Sequence, residues 1–255
     1  MLRSRTSAEE LLLSLGIDSA RGIDVEAIAW HVGAEVRFAE LDSCEARIIG
    51  YGNRAIITVE ERSIRPRKRF SVAHELGHWK YHRGRSFVCR NDDIGSQVRG
   101  ATDPERVADA YAADLLLPAF LFVPMAAKIR RVTFEAIDGI KEEFGTSRSA
   151  TALRMVDFGP EPAMLVCHSP HKRRWFRRGA AVPDRWFPRD ELDAESPAME
   201  VLHGRCERTP QTLIGADAWF DRRGAERYEV YEQTVRMATG DALTLLTFKS
   251  SDMLD

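Results

Sequence analysis

No stretch of the 255-residue chain approaches eighteen uninterrupted apolar residues, so the sequence offers no membrane-spanning helix. The opening MLRSRTSAEELLLSLGI carries too short an apolar segment, with acidic residues before it, for a secretion signal; a cytoplasmic protein is the expectation. Positive charge is not in excess. Lys and Arg number 37 against 39 Asp and Glu, a formal charge of -2, which excludes a globally basic nucleic-acid binder while leaving room for local patches. There is no CxxC pair: Cys44, Cys89, Cys167 and Cys206 are widely scattered, and in a reducing compartment they read as free thiols. Internal repeats and low-complexity tracts are missing too. What is present is 44% hydrophobic and 30% charged residues, ordinary for a globule with one large core or two modest ones.

Against that background Arg69-Phe70-Ser71-Val72-Ala73-His74-Glu75-Leu76-Gly77-His78 stands out. The run reads as helical, with Val72, Ala73, Leu76 and Trp79 giving it an apolar face. A helix turns about 100° per residue, so His74 and His78 stack one turn apart, as two ligands of one tetrahedral Zn2+ must. Glu75 projects from a neighbouring face and can reach a water at the metal as general base. The plain alternative is two satisfied histidines on a core or surface helix. His82 continues the stack and reads as structural or as a support for the ligands; His31 reads as a packing or surface residue.

A catalytic zinc needs a third protein ligand. The best candidate is Glu105, in TDPERVADAYAADLLLP, where Thr102 or Asp103 caps a helix and Pro104 suits its first turn. Asp109 falls one turn later, placed to accept the free ring N–H of a zinc-bound histidine. Alternatively Glu105 completes a capping box with Thr102. Cys89, between the two helices, is placed to occupy the open metal position as an inhibitory thiolate, or else is an incidental loop cysteine. The oxyanion donor, a Tyr or His outside the motif, has no assignment.

The remaining pattern gives an α+β fold. Helices are predicted over Ser7–Ser14, capped by Ser7, and Asp24–Val32, capped by Asp24. Strands are predicted over Glu35–Phe38, Ala46–Tyr51 and Ala55–Val59, the last two joined through Gly52-Asn53. Ile56–Val59 is the candidate edge strand for an extended substrate. Arg62, Arg65, Arg67, Lys68 and Arg69 form either a solvated loop or a dock for an acidic segment. Phe120–Arg130, Phe134–Phe144 and a helix from a Ser147 cap to Phe158 follow, then a linker at Gly159-Pro160-Glu161-Pro162. Beyond it, Ala163–Cys167, Arg174–Arg178, Leu213–Phe220, Tyr228–Met237 and Ala242–Phe248 read as strands, with a turn at Gly240-Asp241.

RFSVAHELGHWKYHR followed by ERVADAYAADLLLP resembles the ImmA/IrrE family of zinc metallo-endopeptidases, and DVEAIAWHVGAEVRF and EEFGTSRSATALRMVDFG extend the resemblance over about residues 8 to 158. The resemblance implies His74, His78 and Glu105 as zinc ligands and Glu75 as catalytic base. Asp109 stands where Asn is common, and Val107 replaces a frequent Glu. It further implies a zincin-like metallopeptidase domain, helices plus a small antiparallel sheet, over residues 1–159. A smaller β-rich sensor domain of the GAF/PAS kind is implied over 163–255. The expected substrate is a helix-turn-helix transcriptional repressor, cleaved on stress or invading DNA; the CapP type, which accompanies anti-phage CBASS operons, fits a protease-plus-sensor layout. A zinc-binding regulator that sequesters a transcription factor without cutting it is the alternative.

In the second domain Lys172, Arg173, Arg174, Trp175, Arg177 and Arg178 interleave cations with aromatics. They read either as a surface for single-stranded DNA or as an edge strand whose charges oppose aggregation. Arg185, Trp186 and Arg189 favour binding slightly, whereas Trp219 and Phe220 read as core.

Overall fold

The computed structural model describes residues 4–42, 44–82 and 103–255, and the backbone of Phe87–Cys89. It divides into two compact units, Met1–Pro124 with Lys141–Ala150, and Met125–Ile140 with Thr151–Asp255.

The first unit opens with α1 (Ser7–Ser14). Its cap is Thr6, not Ser7: Glu9 N–H donates to the Thr6 hydroxyl while the Glu9 carboxylate accepts from Thr6 N–H, a capping box that holds both orphan donors. The Glu9 carboxylate also accepts from Ala119 N–H at 2.7 Å, which explains why this acid is buried. Helix α2 (Val25–His31) is capped by Asp24 as predicted. A four-stranded sheet follows in the order β1-β3-β2-β4, with β1 Ala34–Ala39, β2 Ala46–Tyr51, β3 Arg54–Glu60 and β4 Phe87–Cys89. Two expectations are corrected here. The sheet is mixed, because β1 runs parallel to β3. The Gly52-Asn53 hairpin pairs β2 with one side of β3, and the reversal between β1 and β2 leaves β1 the other side, where its direction matches. For the same reason Ile56–Val59 is central, not an edge; the outer strands are β1 and β4.

Helix α3 (Arg65–Tyr81) packs on β2 and β3 and buries every residue from Ser71 to Trp79. Trp79 fixes one end, its indole N–H donating to Val32 O at 2.9 Å. Helix α4 (Pro104–Leu116), capped by Asp103, crosses α3 at Gly77. A Cβ on Gly77 would meet Ala108 Cα at 2.7 Å, so only glycine permits this approach. The short α5 (Ala119–Ala126) ends before the predicted Arg130. Then α6 (Phe134–Phe144) and α7 (Arg148–Phe158) carry the chain between units.

The second unit holds a five-stranded antiparallel sheet, order β6-β5-β9-β8-β7, from β5 Ala163–His168, β6 Arg173–Arg178, β7 Thr212–Gly215, β8 Glu229–Arg236 and β9 Ala242–Phe248. Gly159–Pro162 belongs to this unit: Glu161 accepts from Val132 N–H at 2.7 Å and Pro162 O from Phe248 N–H at 3.0 Å. The predicted strand Leu213–Phe220 stops at Gly215 and becomes a 3-10 turn at Ala216–Ala218. Trp219 and Phe220, which follow this turn, are both buried. A short α8 (Ala198–Leu202) rests on β8 and β9. Its first N–H donates to Glu232 at 2.8 Å, and the same buried carboxylate accepts from Ser196 and from the Trp219 indole. Trp186, Trp219, Phe220, Val230, Leu246 and Met253 are among the buried residues of this core.

No single helix among the described residues is long and apolar enough to cross a membrane; α4 and α5 pass only as a pair bent by 59°.

Candidate metal centre

Polar side chains buried without compensation cost several kcal/mol each, so a helix that buries two histidines and a glutamate carries them for a reason. His74 and Glu75 are fully buried on α3, and His78 is 1% exposed. One turn of helix brings the rings of His74 and His78 to centroids 4.8 Å apart, edge to face, with their Nε2 atoms 3.1 Å apart. The close crossing at Gly77 sets α4 against the same face of α3. Glu105 therefore turns its carboxylate to the imidazoles, 3.1 Å from His74 Nε2 and 3.3 Å from His78 Nε2. Asp103 caps the helix by accepting from the Glu105 backbone N–H at 3.0 Å, and the Glu105 carboxylate faces the imidazoles. Asp109, one turn on, sits 2.9 Å from His74 Nδ1. On the far side, His78 Nδ1 lies 3.3 Å from His82 Nδ1.

These donors fit a divalent cation. A tetrahedral zinc with ligands at about 2.0–2.1 Å separates them by about 3.3 Å; the two Nε2 atoms here lie 3.1 Å apart, with Glu105 Oε2 3.1 Å from His74 Nε2 and Oε1 3.3 Å from His78 Nε2. The set of two imidazoles and one carboxylate is that of open catalytic zinc sites, and His74, His78 and Glu105 are the one such cluster among the described residues. Electrostatics agree. Burial alone pushes the His74 imidazole down, but its hydrogen bonds to the Asp109 and Glu105 carboxylates outweigh it and lift the value to about 9. Burial likewise opposes the Glu105 carboxylate, yet His74 and His78 hold it well below the usual carboxylate range. The site thus gathers negative charge around two rings, which favours a cation held between them.

Other predicted residues fall elsewhere. The Cys89 side chain and Thr102 lie outside the described residues; the Cys89 backbone pairs with Ala46 at the outer strand of the sheet. Arg67 meets Glu45 at 3.1 Å and Arg62 meets Glu60 at 3.0 Å, while Lys68 lies over the Phe38 ring. His31 is exposed. Arg173, Arg174, Trp175, Arg177 and Arg178 share the edge strand β6, where Arg173 pairs with Asp190, Arg174 with Asp241, Arg177 with Asp157 and Arg178 with Asp184. Phe176 packs against the core, and Trp186 is core as well, with no face to offer a base. Lys172 precedes the strand in a turn closed by Ser169. Sequence reasoning missed the part played by Gly77, whose only signal is a glycine inside a helical pattern.

A mixed sheet beneath a buried HExxH helix, with a carboxylate delivered by the next helix, defines a metallopeptidase-type domain. Residues 23–156, more than half of the chain, match the family model described as IrrE N-terminal-like domain, Peptidase_M78, and the chain belongs to that family. Among curated proteins none matches it. Among solved structures it is similar to a Mycobacterium tuberculosis transcriptional regulator, at 14% identity and a TM-score of 0.62, over 95% of this chain and 74% of the other, a likeness of fold.

Proposed function

We propose that the chain is a zinc-dependent endopeptidase that cuts a helix-turn-helix transcriptional repressor in the cytoplasm. The observation that carries this reading is the triangle of His74 Nε2, His78 Nε2 and the Glu105 carboxylate beside buried Glu75. His74, His78 and Glu105 would hold the zinc, which would supply a Lewis acid able to make water a nucleophile near neutral pH. Asp109 holds the His74 ring with Nε2 toward the cation by taking its Nδ1 proton in a hydrogen bond. Glu75 accepts the proton of the attacking water and returns it to the leaving amine, so one carboxylate serves as base and then acid. Its position next to His74 in sequence, on a helix fixed by burial, keeps that carboxylate at the reacting water.

The second unit reads as a GAF/PAS-like sensor of stress or of foreign or single-stranded DNA. Its single antiparallel sheet, with the first and last strands β5 and β9 paired at the middle, supports that reading. The acid partners of the β6 arginines favour a protected edge over a DNA surface on that strand. A protease-plus-sensor layout also suits the CapP type and anti-phage defence.

The test is to incubate the zinc-loaded chain with candidate helix-turn-helix repressors and look for a discrete cut. Glu75→Gln should retain its zinc and lose cleavage by at least about 10²-fold. Regulation undiminished in Glu75→Gln would reject the peptidase and leave a protein that sequesters its partner.

A further inference from the structure

We propose that a recess in the second unit, walled by Arg185, Arg222, Arg223 and Arg227 beside Trp186 and Tyr228, binds a small phosphorylated ligand of nucleotide size. The recess has a volume of about 310 Å³, which lies at the lower end of the range for small-molecule sites. Four arginines line it, with Asp252 as the one acid in the lining.

The contrast with the rest of the unit is the core of the argument. Arg173, Arg174, Arg177, Arg178 and Arg208 each lie within 3.1 Å of a carboxylate oxygen. Among the described residues none of the four recess arginines enters an ion pair. Like charges brought together around a concave surface repel, and a polyanion relieves that repulsion. Planar guanidinium forks match phosphate oxygens two at a time, which selects phosphate over a simple halide.

The walls are also set in advance. Arg222 and Arg223 begin a turn closed by Ala225 N–H to Arg222 O at 3.0 Å, and Gly224 takes φ +90°, a conformation that glycine adopts without strain. Arg227 ends the following 3-10 turn. The Arg222 guanidinium lies over the Trp186 ring at 5.1 Å, and Tyr228 meets the same ring edge-on at 5.7 Å. Arg185 and the Trp186 indole both donate to Met253 O, which ties the C-terminal turn to the recess. An open recess of this volume suits a small ligand, whereas a nucleic-acid strand needs a groove that follows its backbone. The inference stands apart from the peptidase reading and does not require it.

The full-length, zinc-loaded chain is titrated calorimetrically with pyrophosphate, ADP, sulfate and an oligothymidylate. Pyrophosphate and ADP should bind at micromolar levels, at least about tenfold more tightly than sulfate. The double variant Arg222→Gln, Arg227→Gln should weaken both by about tenfold or more, while Arg205→Gln, an exposed arginine paired with Glu200, changes nothing. The recess arginines are exposed, so an unchanged thermal transition without ligand will verify that the double variant is folded. No heat from pyrophosphate or ADP overturns the proposal, as does equal affinity for sulfate and pyrophosphate. Tighter binding of oligothymidylate than of ADP, lost in the double variant, overturns it in favour of a nucleic-acid face.

Discussion

Asp109 touches no substrate in the proposed reaction, yet the chemistry leans on it. Its carboxylate lies 2.9 Å from His74 Nδ1, so it selects the tautomer that leaves Nε2 to the cation. Loss of such a partner typically weakens metal affinity by about 10–100-fold. Asp109→Ala should therefore show a zinc dissociation constant raised by that factor in a chelator competition, and Asp109→Asn a smaller loss, because an amide oxygen still accepts. Equal affinity in wild type and Asp109→Ala would remove Asp109 from the account. The same reasoning separates legible from illegible residues. His74, Glu75 and His78 declare themselves by a spacing that only a helix makes meaningful. Asp109 follows from Glu105 by one further turn. The recess around Arg222 does not, because Arg185, Trp186 and Asp252 reach it from distant parts of the chain, and no local pattern foretells that meeting.

The crossing of α3 and α4 decides whether the carboxylate reaches the histidines. A methyl group on Gly77 would stand 2.7 Å from Ala108 Cα and 3.0 Å from its carbonyl oxygen, backbone atoms that cannot rotate aside. Overpacking of this kind costs about 1–3 kcal/mol and separates the helices. Gly77→Ala should lower the urea midpoint by a matching amount and weaken zinc binding too, although the new side chain touches no ligand. A variant with normal zinc affinity would mean that the crossing does not position Glu105. Most elements were readable for the same local reasons: α1, α6, β2 and β9 keep the bounds their periodicity predicts. Two features that the sequence does not disclose share a cause. That β3 lies between β1 and β2 is a fact of long-range pairing, and α8 starts where a carboxylate from β8 receives its first N–H. Neither partner is near in sequence.

For the folded chain as a body, a net charge of -2 hides a strongly structured distribution, with arginines matched to acids along β6 and unmatched around the recess. Acid should act on the second unit through His168. Burial holds this imidazole down to about 4 from an ordinary 6.5; its Nε2 donates to Arg189 O at 3.2 Å and its ring meets Trp219. The unfolded chain therefore binds a proton that the folded unit refuses. Stability is fully present above pH 6.5 and falls as pH drops toward 4, by on the order of 3 kcal/mol. Denaturant unfolding at pH 7 and pH 4.5 measures the loss, and His168→Leu should flatten it; a slope unchanged by His168→Leu would place the sensitivity in other groups. The strand-rich pattern begins after Gly159, whereas the second unit takes in Met125–Ile140 and Thr151–Asp255. The segment Met125–Ile140, which belongs with the second unit, carries no such mark in sequence: its Phe134 N–H and Val132 N–H are held by Gln233 and Glu161, contacts only the folded unit supplies.

Elemental analysis of metal in the purified, chelator-free protein probes the cradle of two imidazoles and a carboxylate most directly. The account predicts about one zinc per chain in the wild type and in Glu75→Gln, and a small fraction of that in folded His78→Ala and Glu105→Ala. Full occupancy in Glu105→Ala, or none in the wild type, would contradict it.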